Sequence, residues 1–161
     1  MFANYIGPVL TILAASIAAT FPGIGSARGV GGVGQAASGV LTEDPDKFGK
    51  LLVLQALPGT QGIYGLLSWF MIMNQSGMLS GNFDVSWQAG ALFFMAALPI
   101  TIVGYGSAIH QGKVCEGGVA LVGKRPDQQS KPLIMAAMVE TYAILALLAT
   151  ILAVLNINPT M

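Results

Sequence analysis

A single carboxylate, Glu140, lies inside a long apolar segment: it is the only charged residue between positions 132 and 161. A charged side chain at the centre of a membrane-spanning helix costs about 2.5–3.5 kcal/mol on insertion scales. A carboxylate in such a segment is therefore, by default, a site where a proton or a cation binds. The alternative is a carboxylic acid that stays protonated and only forms a hydrogen bond.

Three uncharged polar side chains are expected at a similar depth, namely Thr60, Gln61 and Gln111. One buried glutamine usually forms a hydrogen bond between helices, but this set supplies several oxygen atoms around one negative charge. Hard cations prefer oxygen ligands, and we extend that preference to sodium. One bound Na⁺ would neutralise Glu140 and let the loaded site face lipid, whereas the ionised, empty carboxylate would be too costly to desolvate.

Pro58 precedes Thr60 and Gln61 in the same apolar segment. A proline inside a helix removes one backbone hydrogen bond and bends the helix. The carbonyl groups freed near the bend need partners in lipid, and a bound ion is one possible partner. A bend that serves only packing is the alternative.

The elements that must position these residues are predicted from the distribution of charge. Of 161 residues, 54% are hydrophobic and only 9% are charged, against about 25% in soluble domains. Segments 1–27, 51–83, 85–112 and 141–161 carry no charged residue, and about 20 apolar residues span a bilayer. We therefore predict an all-α membrane protein, a single domain over 1–161, with helices at 8–42, 46–77, 84–124 and 128–157.

The basic residues predict the orientation in the membrane. All seven flank one end of the spans: Arg28, Lys47, Lys50, Lys113, Lys124, Arg125 and Lys131. By the positive-inside rule the hairpins 42–47 and 123–128 are cytoplasmic and both termini lie outside, which suits a multi-pass protein of the plasma membrane. Residues 8–27 follow no basic segment, so we expect a retained helix rather than a cleaved signal. Asp44 before Pro45 is a suitable start for the second helix.

The two halves of the chain are repeats. A shift of 81 positions aligns residues 23–27 with 104–108 and Pro45-Asp46 with Pro126-Asp127. The expected architecture is two tandem helical hairpins, repeat one at about 8–77 and repeat two at about 84–157. Glu140 aligns with Gly59, so one ion site is expected per chain.

Helix 1 is rich in glycine, which lets membrane helices approach closely. Its glycines favour a helix that is crowded against copies of itself in a ring. Ordinary packing within one four-helix bundle is the alternative. The glycines are Gly23, Gly25, Gly29, Gly31, Gly32, Gly34 and Gly39. Residues 29–34 match the G-x-G-x-x-G pattern but follow no strand, and Gly112-Lys113 lacks the Walker A spacing. The zero net charge and the absence of a basic stripe argue against nucleic-acid binding. Because neither nucleotide-binding motif is fulfilled, we expect no nucleotide to bind. The lone Cys115 excludes an internal disulfide.

Segments 57–65, 110–113 and 138–145 together resemble the proteolipid ring subunit (subunit K, or c) of bacterial sodium-pumping V-type ATPases. The resemblance implies that Na⁺ is held by the side chains of Glu140, Thr60, Gln61 and Gln111 and by the backbone oxygen of Leu57. It implies that Tyr64 donates a hydrogen bond to Glu140 and keeps the site closed, beside the bend at Pro58. Proton-pumping relatives typically lack the glutamine pair, which favours sodium over H⁺.

The resemblance also implies partners. Copies of the chain form a ring in lipid, a stator membrane subunit faces Glu140, and central-stalk subunits dock on the cytoplasmic hairpins, where Arg125 and Gln128 are exposed candidates. The chain has no catalytic residues, because soluble partners hydrolyse the ATP. His110 is expected to be an interfacial side chain, and Glu116 to pair with Lys113 one turn away.

Three other functions stay open at this point. A proton-carrying rotor subunit would have the same architecture. A stand-alone channel or secondary transporter would transport ions without partners, and a structural proteolipid would not need Glu140. The duplicated hairpin with one carboxylate argues against the last two.

Overall fold

The computed structural model describes residues 3–161, which form five α-helices: α1 Ala3–Glu43, α2 Phe48–Ala56, α3 Thr60–Gln75, α4 Trp87–Lys124 and α5 Ser130–Leu155. Helices α2 and α3 follow one another through a three-residue 3₁₀ turn, so they form one rod. The chain is thus four rods arranged as two hairpins, and the predicted all-α membrane class is confirmed. In the described part, three helical segments are long and apolar enough to cross a membrane, Tyr5–Glu43, Trp87–Lys124 and Pro126–Leu155.

The second predicted helix, 46–77, is divided rather than continuous. The turn Leu57–Gly59 separates a helix of 9 residues from one of 16 residues. Pro58 has no N–H to donate, so the α-helical ladder cannot pass through it unchanged. Pro22 and Pro99, in contrast, stay inside α1 and α4.

The remaining helix boundaries differ from the prediction by no more than five residues. Helix α1 already begins at Ala3, and α5 runs from Ser130 to Leu155. Helix α4 begins at Trp87 rather than at 84, because the Ser86 hydroxyl caps it by accepting the N–H of Ala89 at 3.1 Å. Helix caps of this kind satisfy backbone donors that have no partner inside the helix.

The two hairpins meet at one end of the molecule. The Asp44 side chain accepts the N–H of Asp46 at 3.2 Å, with Pro45 as the next residue, so the predicted cap is confirmed; it begins a 3₁₀ turn that leads into α2. The ammonium groups of Lys47 and Lys50 donate to carbonyl groups of the second hairpin at 2.6 and 3.1 Å. These bonds tie the hairpins together.

Both termini lie at the opposite end. The Ser86 N–H donates to the carbonyl of Pro159 at 3.0 Å, and the Gln75 amide donates to Ile157 at 3.1 Å. Gly7, near the start of α1, packs directly against Ser86. The chain therefore enters and leaves at the end remote from the hairpins.

Helices α1 and α4 form the closest pair in the fold. A Cβ atom built at Gly112 of α4 would lie 2.6 Å from Cα of Gly29, and one built at Gly25 would lie 2.7 Å from the Tyr105 carbonyl oxygen. No side chain fits at these positions, so part of the helix 1 glycine density serves packing within the chain. Small residues of this kind allow close contact between membrane helices.

Gly112→Ala is expected to destabilise the fold, because the added methyl group overlaps the backbone of Gly29. Overpacking of this kind costs about 1–3 kcal/mol. Thermal unfolding of the detergent-solubilised protein measures the loss. Gly49→Ala is the control, since a Cβ there meets no neighbouring atom within 4 Å in the described chain; equal losses in both variants would contradict the packing argument.

Two apolar clusters fill the interior, one near the termini around Ile72, Phe93 and Ile100 and one near the hairpins around Leu54 and Val119. In sequence, each rod passes from one cluster to the other. The buried polar residues Gln61 and Gln111 lie between the two clusters. The candidate site is therefore at mid-depth.

Candidate functional site

The Glu140 carboxylate on α5 receives a hydrogen bond on each oxygen. The Tyr64 hydroxyl, from α3, donates to Oε1 at 2.6 Å. The Gln111 amide, from α4, donates to Oε2 at 3.3 Å. Three helices thus converge on one half-buried carboxylate.

The two predicted glutamines form a pair. Gln61 and Gln111 are both 0% exposed, and Nε2 of Gln61 donates to Oε1 of Gln111 at 2.7 Å. Nε2 of Gln111 also donates to the carbonyl of Ala136 at 3.1 Å. Buried amides without partners are costly, so these bonds hold each amide in one orientation beside Glu140.

Thr60 and Leu57 join the same network. The Thr60 hydroxyl lies 3.0 Å from the carbonyl oxygen of Leu57 and 3.3 Å from Oε1 of Gln61. The Leu57 carbonyl also accepts the Thr60 N–H across the turn at Pro58. The turn thus brings a backbone oxygen, a hydroxyl oxygen and an amide oxygen together.

Every polar side chain predicted for the site belongs to one connected set: Tyr64, Glu140, Gln111, Gln61 and Thr60. The chain matches the family model for the C subunit of ATP synthase twice, over residues 13–72 and 94–153. The chain belongs to the ATP synthase C-subunit family. The two matches are offset by the 81 positions found from the sequence, so the duplicated hairpin is confirmed.

Two relatives show which branch of the family the chain resembles. It is 47% identical over 150 residues to V-type sodium ATPase subunit K of Enterococcus hirae, covering 93% of each chain. It is 34% identical over 149 residues to A-type ATP synthase subunit K of Methanocaldococcus jannaschii, covering 92% of this chain and 63% of the relative. The resemblance to the sodium V-type subunit K, predicted from the motifs, is confirmed.

One member of the polar network, Ser107, was missed by sequence reasoning. Its hydroxyl accepts from Gln61 at 3.2 Å and donates to the carbonyl of Val139 at 3.0 Å, next to Glu140. Ser107 lies one helical turn before Gln111, so the i, i+4 spacing on α4 could have indicated it. It ties α3, α4 and α5 together at the level of the carboxylate.

Two polar residues near the site stay outside this network. His110 is exposed on α4, and Glu116 is half-buried five residues beyond Gln111. The predicted Lys113–Glu116 pair is wrong: the ion pairs among residues 3–161 join Lys47 to Asp44 and Arg125 to Asp127. The Glu116 carboxylate instead occupies the space over Gly32 of α1, where a side chain would collide with it.

The 81-residue repeat places different residues at the positions equivalent to those of the site. Gly59, Val30 and Tyr142 align with Glu140, Gln111 and Gln61, respectively. A Cβ at Gly59 would lie 3.7 Å from Val30, which parallels the contact of Glu140 with Gln111. The two repeats therefore share their backbone arrangement, but the polar groups of the site have no polar equivalents at Gly59 and Val30.

Proposed function

We propose that this chain is a rotor-ring subunit of a V/A-type ATPase and that each copy carries one Na⁺ at Glu140. The observation that carries the proposal is the Glu140 carboxylate with a buried glutamine pair and a tyrosine hydroxyl around it at mid-depth. The sodium ATPase relative supports the choice of ion. The glutamine pair supports it independently, because amide oxygens are ligands for a hard cation and are not needed for a proton.

The residues present fit a monovalent cation as cargo. One carboxylate balances one positive charge, so the loaded site is neutral and its passage through lipid carries no charge-burial cost. The uncharged oxygens replace the hydration shell. The proposed ligands are the Glu140 carboxylate, the side chains of Thr60, Gln61 and Gln111, and the backbone oxygen of Leu57, with Tyr64 closing the site and Pro58 shaping the turn.

The proposed mechanism is rotary. Copies form a ring, soluble partner subunits hydrolyse ATP, and a central stalk docked on the cytoplasmic hairpins turns the ring past a stator subunit. Each Glu140 takes Na⁺ from the cytoplasmic side, travels neutralised and releases it beside a stator cation. Moving one charge against 100 mV costs about 2.3 kcal/mol, which the partners supply, so the chain itself has no enzymatic step. In this proposal both termini face outwards from the plasma membrane.

Carbodiimide labelling of Glu140 in the purified ring, with and without sodium across a pH series, tests the proposal. The reagent modifies only the protonated carboxyl group. We expect sodium to protect Glu140 and increasing pH to produce the same protection, because Na⁺ and H⁺ compete for one carboxylate. Labelling that sodium does not change at any pH would instead establish the proton-carrying rotor.

Tyr64→Phe is expected to accelerate sodium release, because it removes the donor to Oε1 of Glu140. A hydrogen bond to a charged group contributes about 1.5–3 kcal/mol, so release should become roughly tenfold to a hundredfold faster. Washout of radiolabelled sodium from rings measures the rate. Tyr142→Phe is the matched control, since Tyr142 is 65% exposed and lies outside the network; unchanged release in Tyr64→Phe would exclude the closing role.

A further inference from the structure

The hydrogen bonds around the ion site have a fixed direction, because they end on α5 at groups that can only accept. Nε2 of Gln111 donates to the carbonyl of Ala136 at 3.1 Å and to the Glu140 carboxylate at 3.3 Å. The Ser107 hydroxyl donates to the carbonyl of Val139 at 3.0 Å. A carbonyl group and an ionised carboxylate have no proton to donate. The amide oxygen of Gln111 and the hydroxyl oxygen of Ser107 are therefore left as acceptors.

The amide of Gln61 meets both of these acceptors. Its Nε2 donates to Oε1 of Gln111 at 2.7 Å and to the Ser107 hydroxyl oxygen at 3.2 Å. Both protons of the amide nitrogen are then in use, and Oε1 of Gln61, at the other end of the amide, lies 3.3 Å from the Thr60 hydroxyl. That hydroxyl has one proton and also lies 3.0 Å from the Leu57 carbonyl oxygen. Oε1 of Gln61 therefore keeps at least one free lone pair.

We propose that Ser107 is a positioning residue for sodium, which holds the Gln61 amide with its nitrogen towards α4 and its oxygen towards the cation. The inference rests on the proposed sodium site at Glu140 and concerns a side chain that is not itself a proposed ligand. An amide turned by half a rotation would present its N–H groups, which carry partial positive charge, to the cation. Because a proton on Glu140 needs no amide oxygen, Ser107 favours Na⁺ over H⁺ through Gln61.

Ser107 is needed because the other partner of the Gln61 amide is itself a proposed ligand. Oε1 of Gln111 accepts from Gln61 at 2.7 Å, and the same oxygen is expected to bind sodium. Its lone pairs are then shared between the amide and the cation, which weakens its hold on Gln61. The oxygen of Ser107 has no second task, since its proton is engaged by the carbonyl of Val139. Ser107 therefore keeps the amide in one orientation while sodium binds and leaves.

Burial makes the loss of this hydroxyl costly. Gln61 and Gln111 are 0% exposed, and Ser107 is 7% exposed. A buried donor without a partner is unfavourable, because neither protein nor solvent satisfies it. With alanine at position 107, one N–H of Gln61 loses its acceptor, and the energy difference between the two orientations of the amide becomes smaller. A larger fraction of chains then presents nitrogen to the cation.

The repeat supplies a serine at the equivalent position with a different task. Ser26 aligns with Ser107 under the 81-residue shift, and its hydroxyl accepts the backbone N–H of Gly62 at 2.9 Å. Ser26 is 6% exposed, so the two hydroxyls are equally buried. A backbone N–H within a helix cannot turn round, so Ser26 orients no amide side chain. Ser26→Ala is therefore the matched control for removal of a buried hydroxyl.

Sodium protection of Glu140 against carbodiimide, measured in purified rings at one fixed pH, tests this role. In Ser107→Ala, the sodium concentration for half-protection should rise about threefold to tenfold, as expected for one neutral hydrogen bond. Labelling without sodium should keep the pH dependence of the unmodified ring, because the hydrogen bonds of Ser107 go to Gln61 and Val139. Ser26→Ala should change the half-protection concentration by less than about twofold.

A double-mutant cycle separates positioning of the amide from a general contribution to helix packing. In a Gln61→Leu background there is no amide to orient, so added Ser107→Ala should change the half-protection concentration by less than about twofold. If Ser107 acted only through its bond to the Val139 carbonyl, the loss would be equal in both backgrounds. Gln61→Met, whose side chain is unbranched and similar in length to glutamine, replaces Gln61→Leu if that variant does not assemble.

The outcomes distinguish this role from the proposed function. If sodium protects the unmodified ring, equal losses from Ser107→Ala with and without Gln61 would overturn the positioning role and leave the sodium site intact. An unchanged half-protection concentration in Ser107→Ala, an equal loss in Ser26→Ala, or a shifted pH dependence without sodium would do the same. An unmodified ring that sodium does not protect would overturn the proposed sodium site, and the role of Ser107 with it.

Discussion

Rings that carry Glu140→Gln are expected to lose sodium binding, and the assembled ATPase should lose sodium transport. The substitution keeps the size of the side chain and removes the only negative charge at the site. Removing one member of a buried charge pair costs about 3–5 kcal/mol, which corresponds to binding weaker by about a hundredfold to several thousandfold. Equilibrium binding of radiolabelled sodium to purified rings measures the change, and sodium flux into vesicles containing the whole complex measures its consequence.

Glu116→Gln is the matched control for this experiment. It removes a half-buried carboxylate from α4 that has no ion pair among the described residues and contacts Gly32 rather than the network. Sodium binding should stay within about twofold of the unmodified ring, as expected for a charge outside the site. Full sodium binding in Glu140→Gln would remove Glu140 from the proposal, and a large loss in Glu116→Gln would move the site towards the hairpins.

The depth and the members of the hydrogen-bonded cluster around Glu140 were largely predictable from the sequence. Glu140, Gln111 and the Thr60-Gln61 pair stand out because polar residues are rare in apolar segments, and membrane helices have little freedom to place them anywhere but inward. The repeat predicted their relative depth, because equivalent positions of two parallel hairpins lie at the same depth in the membrane. The number of rods, four, was predicted from the distribution of charged residues along the chain.

The contacts between helices were less predictable. In a membrane, both the lipid-facing side and the packed side of a helix are apolar, so the pattern of hydrophobic residues does not tell which side meets a neighbour. Ser107 was missed for this reason, since its role depends on its contact with Gln61 of the neighbouring helix α3. The Lys113–Glu116 pair failed because Glu116 points to the space over Gly32, a contact between residues distant in sequence.

The division of the second rod into α2 and α3 was predicted only in part, as a bend at Pro58. The bend at Pro58 follows from its missing donor, but which oxygen is freed depends on the turn that forms. Here the Thr60 hydroxyl donates to the Leu57 carbonyl at 3.0 Å, in addition to the Thr60 N–H. The position of the bend could therefore be predicted from the sequence, but the hydrogen bonds of the turn could not.

The glutamine pair supports a second prediction: the double variant Gln61→Leu with Gln111→Leu is expected to lose sodium protection of Glu140 against carbodiimide, although the reagent still labels Glu140. The two amides supply uncharged oxygens to the cation, and neither is needed to hold a proton. Loss of both should weaken sodium binding by at least roughly a hundredfold, if each oxygen contributes about 1.5–3 kcal/mol as a bond to a charge. Labelling as a function of sodium concentration and pH measures both properties in one experiment.

The single variants make this prediction specific to the pair. Gln61→Leu alone leaves the carbonyl oxygen of Gln111 without its 2.7 Å donor, and a buried acceptor left without a partner costs about 1–3 kcal/mol. Each single variant should therefore unfold at a lower temperature than the double variant, in which both partners are replaced by apolar groups. If instead the thermal losses add and sodium still protects Glu140 in the double variant, the pair is only a hydrogen bond between helices and the oxygens that select sodium lie elsewhere.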